Sequence, residues 1–207
     1  MDFLDRLLNE ADKALRTVEA KPRARQQRPD ADDDGELDAD ASQLSARLMR
    51  VNHSGEIAAQ ALYRGQALVA RDAALRRELL QAADDEHDHL AWCQDRAEEL
   101  GGRTSVLAPL WYAGSFAIGV TAGLAGDRYS LGFLDETEQQ VAEHLDGHLQ
   151  RLPQADATSR HILTRMRADE LQHAHRAREL GGKTLPTPVK KGMRLLSKVM
   201  TTVSFRL

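Results

Sequence analysis

Apolar positions recur along this chain at three- and four-residue spacing, the period of helices that bury one face. Phe3 to Glu19 repeats leucine in this way, at Leu4, Leu7, Leu8 and Leu15, and predicts a short amphipathic helix. Lys21 to Asp40 breaks the pattern with two prolines, a basic patch and Asp32-Asp33-Asp34, the composition of a solvated linker. Ser42 to Arg71 predicts a long helix, and Asp72 can end it and cap the next, which runs to Leu100 and stops at Gly101-Gly102. An uncharged run follows from Val106 to Gly126. The next helix, continuous with that run or kinked at its glycines, spans about Arg128 to Leu152 and stops at Pro153. The fourth long helix covers Asp156 to Leu180 and ends at Gly181-Gly182. The tail from Val189 to Leu207 is basic and amphipathic. No alternating, strand-like pattern competes. The expected chain is all-α, with a helix and flexible linker in residues 1–41, a bundle in 42–185 and a basic tail in 186–207.

Composition supports helices. Hydrophobic residues make up 42% of the chain but aromatic ones only 4%, whereas sheets draw on aromatic and β-branched side chains. The formal charge of −4 argues against general nucleic-acid binding, which needs a basic excess or stripe. With Cys93 alone, no intramolecular disulfide and no cysteine-based zinc or iron–sulfur site is available. Acids among the apolar residues of the N-terminus fit neither a secretory nor a transit segment.

An internal repeat carries the first chemical signal. Asp85-Glu86-His87-Asp88-His89, followed by Glu99-Leu100-Gly101-Gly102, resembles Asp169-Glu170-Leu171-Gln172-His173, followed by Glu179-Leu180-Gly181-Gly182. Each half therefore reads as a helical hairpin whose second helix carries Glu-x-x-His. Two such motifs alone are weak evidence, because surface Glu and His pair at this spacing by chance. Height adds to them. Glu56 stands 16 residues before Asp72 and Glu86 stands 14 after it; Glu138 stands 15 before Pro153 and Glu170 stands 17 after it. At about 1.5 Å per residue, each pair sits at one level of its hairpin.

The faces agree. Glu86 shares its stripe with Leu79, Ala82 and Cys93; Glu138 with Leu131, Leu134, Ala142 and Leu145; Glu170 with Leu163, Met166, Ala174 and Ala177. Glu56 is less clean, with Met49, Asn52, Gln60 and Tyr63 around it. Carboxylates meeting in an apolar core repel one another, and divalent cations remove that repulsion. Four Glu and two His from four helices, with Glu-x-x-His on two of them, make the ligand set of ferritin-like di-iron bundles. The candidate ligands are thus Glu56, Glu86, His89, Glu138, Glu170 and His173. Their mixed oxygen and nitrogen donors suit two Fe or Mn ions, with iron favoured for O2 chemistry. His53 and His144 fall near the inferred site, and Asp85 and Asp169 can orient a ligand histidine on the opposing hairpin.

These residues resemble the demethoxyubiquinone hydroxylases of ubiquinone biosynthesis. The resemblance rests on Arg50-Val51-Asn52-His53-Ser54-Gly55-Glu56, on Glu86-x-x-His89-Leu90, on Glu138 followed six residues later by His144, and on Met166-Arg167-Ala168-Asp169-Glu170-Leu171-Gln172-His173. It extends from about Leu44 to Gly182. It implies the same six ligands, O2 as co-substrate and a buried aromatic substrate with a polyprenyl tail, hydroxylated on its quinol ring. Where many relatives carry Tyr after the histidine matching His144, this chain has Leu145, so a tyrosine-assisted step is not carried over to that position. A ferritin-like iron store or ferroxidase on the same ligands is the alternative.

The uncharged run is long enough on count to span a bilayer, but its glycines and alanines make it only moderately hydrophobic, and it leads straight into the helix of Glu138. Two uses remain: a buried helix packed through small residues, or an apolar wall that dips into the membrane surface, with Trp111 and Tyr112 at the interface. Lys190, Lys191, Arg194 and Lys198 of the tail add attraction to anionic lipid. Peripheral association with the cytoplasmic face of the cell membrane is the expectation, alone, as a homo-oligomer or within a biosynthetic complex. No Gly-x-Gly-x-x-Gly stands between a strand and a helix, so electrons come from the quinol, from NADH at an unpatterned site or from a partner.

Overall fold

The structure, a computed structural model, describes residues 3–207; the side chains of Phe3, Arg6 and Leu7 lie outside the description, and with them the place of Leu7 in the leucine stripe. The described residues form seven helices: α1 (Phe3–Glu19), α2 (Ala39–Val69), α3 (Ala73–Glu99), α4 (Ala108–Leu124), α5 (Asp127–Arg151), α6 (Ala157–Glu179) and α7 (Thr187–Ser204). Among these residues there is no strand. Helices α2 with α3, and α5 with α6, pack as two hairpins, and contacts of α2 with α5 and of α3 with α6 close them into a four-helix bundle.

The turns form where the sequence places their chemistry. The Asp72 carboxylate accepts from the amides of Ala74 and Leu75 at 2.6 and 2.9 Å, capping α3. The repeated Glu-Leu-Gly-Gly closes α3 and α6 in the same way. Gly101 and Gly181 take positive φ, and the amides of Gly102 and Gly182 return to the carbonyls of Ala97 and Ala177 at 2.8 and 3.1 Å. The uncharged run and the helix after it are separate elements. Gly126, at φ +112°, breaks the chain between α4 and α5, a conformation that residues with a Cβ rarely adopt.

Helix α4 lies along α2 at backbone contact. A Cβ on Gly119 would run into the carbonyl of Leu62, and one on Gly65 into that of Phe116. Small residues therefore serve the packing use considered above. The opposite face of α4 exposes Leu110 and Leu124. No helix among the described residues is long and apolar enough to cross a membrane.

The segment before the bundle is mostly exposed yet fastened to it. Backbone bonds run from Arg25 to the Asp88 carboxylate and from Gly35 to the Ala155 carbonyl, and buried Arg96 pairs with both Asp34 and Asp156 at 2.7 Å. Helix α1 docks through Ala14 and Val18, and through Glu10, which is buried 3.5 Å from Arg64. Its leucines turn outwards: Leu4, Leu8 and Leu15 are about 60% exposed. Helix α7 does the same with Leu195, Leu196 and Val199.

Candidate metal centre

Glu56 enters the bundle from α2, Glu86 and His89 from α3, Glu138 from α5, and Glu170 and His173 from α6. Glu86, Glu138 and Glu170 stand on the apolar stripes the sequence marks, so helix periodicity alone turns them inwards. All four carboxylates are at most 3% exposed. They form two overlapping sets, Glu56-Glu86-His89-Glu170 and Glu86-Glu138-Glu170-His173, with the ligand atoms of each set within 4.8 Å of one another. Glu86 and Glu170 belong to both. The structure thus distinguishes two shared carboxylates from two that each serve one set, a choice the sequence leaves open.

Each imidazole directs Nδ1 into the carboxylates and Nε2 away from them. His89 Nδ1 lies 3.0 Å from Glu86 and 3.2 Å from Glu170. Its Nε2 lies 3.3 Å from Asp169, on the opposing hairpin. His173 repeats this, with Nδ1 about 3.5 Å from Glu86, Glu138 and Glu170 and Nε2 3.6 Å from Asp85. The Asp–His pairing is crossed, with Asp169 of α6 against His89 of α3 and Asp85 of α3 against His173 of α6. An Asp that accepts from Nε2–H leaves the Nδ1 lone pair for the centre.

Burial pushes the carboxyls of Glu56 and Glu138 well above their ordinary range, and neighbouring carboxylates add to the rise. At Glu86 burial acts the same way, but the imidazoles of His173 and His89 beside it outweigh burial and hold that group low. Burial opposes the charge on both imidazoles, yet Asp169, Asp85 and the surrounding Glu residues hold them well above their ordinary value. The protein by itself therefore balances the buried acids with protons on the imidazoles, which cations would displace. Donor atoms are left over. Glu86 Oε1, both Glu170 oxygens and His173 Nδ1 are buried without a hydrogen-bond partner, close enough for ion pairing but not in hydrogen-bond geometry. Such atoms fit a centre built to ligate cations.

The other two histidines fall outside both sets. His53 is buried beside Gln94 of α3, and burial pushes it down to about 4. His144 stands on the wall of a neighbouring cavity and likewise falls to about 4 by burial. Tyr63 stands beside Glu56 in the sequence pattern with no role marked for it. Its hydroxyl donates to Glu138 Oε1 at 2.6 Å from full burial. The only signal was its spacing, seven residues from Glu56 on one helix face. Leu145 is buried in the core beside Ile162 and Met166.

A cavity of about 390 Å³ opens beside Glu56. Residues of α2, α4, α5 and α7 line it, and Trp111, Ile118, Met193 and Leu196 make it mainly apolar.

A family model described as "Ubiquinone biosynthesis protein COQ7" matches residues 43–204. A protein of Chromobacterium violaceum named 3-demethoxyubiquinol 3-hydroxylase is 55% identical over 99% of this chain and 100% of its own length. Proteins of the same name from Cupriavidus necator and Xanthomonas axonopodis pv. citri are 53% and 54% identical over 99% of this chain, and over 100% and 94% of their own lengths.

Proposed function

The chain belongs to the ubiquinone biosynthesis protein COQ7 family, and we propose that it is a 3-demethoxyubiquinol 3-hydroxylase working through two iron ions and O2. The observation that carries this reading is the pair of Glu/His sets, sharing Glu86 and Glu170, set beside an apolar cavity at Glu56. Glu56 and His89 would serve one iron, Glu138 and His173 the other, and Glu86 and Glu170 both. When bound, the irons supply reduction of O2 with two donor electrons, so that one oxygen atom replaces a ring hydrogen as hydroxyl and the other leaves as water.

The chain's own residues supply position and dryness. Asp169 and Asp85 hold His89 and His173 with Nδ1 turned inwards, and Tyr63 fixes Glu138 through its hydroxyl. The apolar walls shed water around a flat ring and leave room for a prenyl tail to run out between α4 and α7.

The same layout supports a place at the cytoplasmic face of the cell membrane. Helix α1 touches α4, and α4 and α7 flank the cavity. All three expose leucines: Leu8 and Leu15 on α1, Leu110 and Leu124 on α4, Leu195 and Leu196 on α7. A surface of this kind can sit among lipid headgroups and receive a water-insoluble quinol sideways. Lys190 and Arg194 turn to Glu136 and Glu143, so the attraction of α7 for anionic lipid rests on Lys191 and Lys198.

The test is O2-dependent conversion of demethoxyubiquinol by iron-loaded protein, with Glu138→Ala and His173→Ala alongside. Hydroxylated product from the parent and from neither variant supports the proposal. Iron oxidation without hydroxylated product, under every reductant supplied, replaces it with a ferroxidase.

A further inference from the structure

Five of the six candidate ligands have side chains at most 3% exposed, but that of His173 is 11% exposed. What reaches it is a second, smaller cavity. A notch of about 20 Å³ lies between α3, α5 and α6, and His173 stands on its wall with Glu78, Asp85, Arg176 and Leu180. The notch shares no lining residue with the apolar cavity at Glu56. The centre therefore has two openings, one at Glu56 of the first ligand set and one at His173 of the second.

The two openings differ in chemistry. In the notch, Glu78 and Asp85 stand two turns apart on one face of α3, about 10 Å along its axis. Asp85 Oδ2 is 3.6 Å from His173 Nε2, while its other oxygen accepts from Gln81. On the inner side of the ring, Glu86 Oε1 is 3.5 Å from His173 Nδ1, buried and without a hydrogen-bond partner. Carboxylate oxygens thus stand on both sides of the imidazole, from solvent to the centre. At the mouth, Arg176 Nη1 lies 3.7 Å from Glu78 Oε2, and both side chains are well exposed. Such a pair is weak in water and opens readily. The notch has room for about one water, so a hydrated cation passes it only by exchanging water for these oxygens. The larger cavity has no acid on its walls but Glu56 itself, and its apolar side chains replace none of the water a cation must shed.

We infer that this notch is the port through which aqueous divalent cations reach and leave the centre. Glu78 and Asp85 relay the cation inwards, Arg176 competes with it at the mouth, and His173 is the ligand that admits it. The inference rests on the metal-centre reading above and deepens it. Separate openings leave metal exchange independent of whatever insoluble molecule fills the cavity at Glu56.

The test compares the two openings by rate. Metal-free full-length protein is mixed with Co(II) in a stopped-flow instrument, uptake is followed by visible absorption, and release is followed after addition of EDTA. Leu180→Trp adds bulk at the rim of the notch, where Leu180 is half-exposed. It should slow uptake and release several-fold while the final amount of bound Co(II) stays that of the parent. Leu196→Trp, at an exposed position on the wall of the apolar cavity, should change neither rate. Glu78→Gln should slow uptake roughly threefold at low salt, Arg176→Gln should speed it by a similar factor, and both effects should fade at high salt. Parent rates in Leu180→Trp overturn the inference, and slowing by Leu196→Trp alone would place entry at the apolar cavity instead. Charge variants without effect at low salt would remove Glu78 and Arg176 from the route. Parent protein that takes up no Co(II) would remove the metal centre and the port together. Port-dependent uptake in protein that makes no hydroxylated product would keep the port and remove the hydroxylase reading.

Discussion

Glu56→Gln is expected to leave the metal-free protein at least as stable as the parent while removing part of what metal adds. Glu56 lies with Glu86, His89 and Glu170 in a space of ligand atoms within 4.8 Å of one another. Burial pushes its carboxyl well above the ordinary range against the pull of His89, and the charges of Glu86 and Glu170 push it further. A carboxyl raised on folding contributes its stability below its unfolded value, about 4.3, and loses it as pH rises through the folded value. Metal-free parent protein should therefore weaken as pH rises above the unfolded value, and Gln, an uncharged isostere, should flatten that slope. Relief of the buried charge is worth on the order of 1 kcal/mol at pH 7. Cation binding works the other way. At a hundredfold excess over Kd, one site adds about 2.7 kcal/mol, and the variant keeps only the set of Glu86, Glu138, Glu170 and His173 intact. Urea unfolding followed by circular dichroism, without metal and with redox-inert Mn(II), measures both effects. A metal-free variant more than about 1 kcal/mol below the parent, with the full Mn(II) gain, would show Glu56 to be a structural partner of His89 and not a ligand.

Asp169→Asn removes the carboxylate 3.3 Å from His89 Nε2 and should lower the affinity of one of two Mn(II) sites by about 10–100-fold; calorimetric titration showing two unchanged sites would refute it. His53 falls from 6.5 to about 4 by burial, so its stabilising share is full above 6.5 and drains as pH falls towards 4. His53→Leu should thus remove about 2 kcal/mol of the loss seen between pH 7 and pH 5, and an unchanged slope in urea midpoints would count against the burial argument. Gly119→Ala should cost about 1–3 kcal/mol because its Cβ meets the Leu62 carbonyl, whereas Gly192→Ala, with open space around it, should be neutral or mildly stabilising; equal melting temperatures would show that α4 can slide on α2. Leu8→Glu with Leu195→Glu, both at sites about 60% exposed, should reduce co-flotation with anionic vesicles without changing the fold, and full retention on vesicles would remove the membrane proposal.

The elements were legible because their signals are local. Asp72, the two Gly-Gly pairs and Pro153 end helices by backbone chemistry that needs no distant partner, and the observed ends lie close to them. Glu86, Glu138 and Glu170 were legible because an acid on an apolar stripe must turn into the core. Glu56 was harder to read, since Asn52, Gln60 and Tyr63 around it give α2 a mixed stripe. The structure buries them all and uses each differently: Tyr63 bonds Glu138, Gln60 meets Thr17 of α1, and Asn52 meets His148. The leucines of α1 and α7 show the opposite limit. Their periodicity foretold amphipathic helices, but an apolar stripe does not say what lies against it: Leu4, Leu8 and Leu15 of α1 face outwards, whereas α7 turns Leu195 outwards and lines the open cavity with Met193 and Leu196.

By itself, then, the sequence determined which residues had to meet. Helical period and hairpin height place Glu56 level with Glu86 in one hairpin and Glu138 level with Glu170 in the other, on faces that turn towards the core. Only the tertiary structure decided what lies between and beside them. It made Glu86 and Glu170 the shared carboxylates, crossed Asp169 to His89 and Asp85 to His173, and opened the cavity at Glu56 between α4 and α7. Those features depend on how two hairpins rotate and approach, and that is set by long-range contacts such as Gly119 against Leu62 and Arg96 against Asp156. Such contacts join residues whose separation in the chain carries no periodic signal.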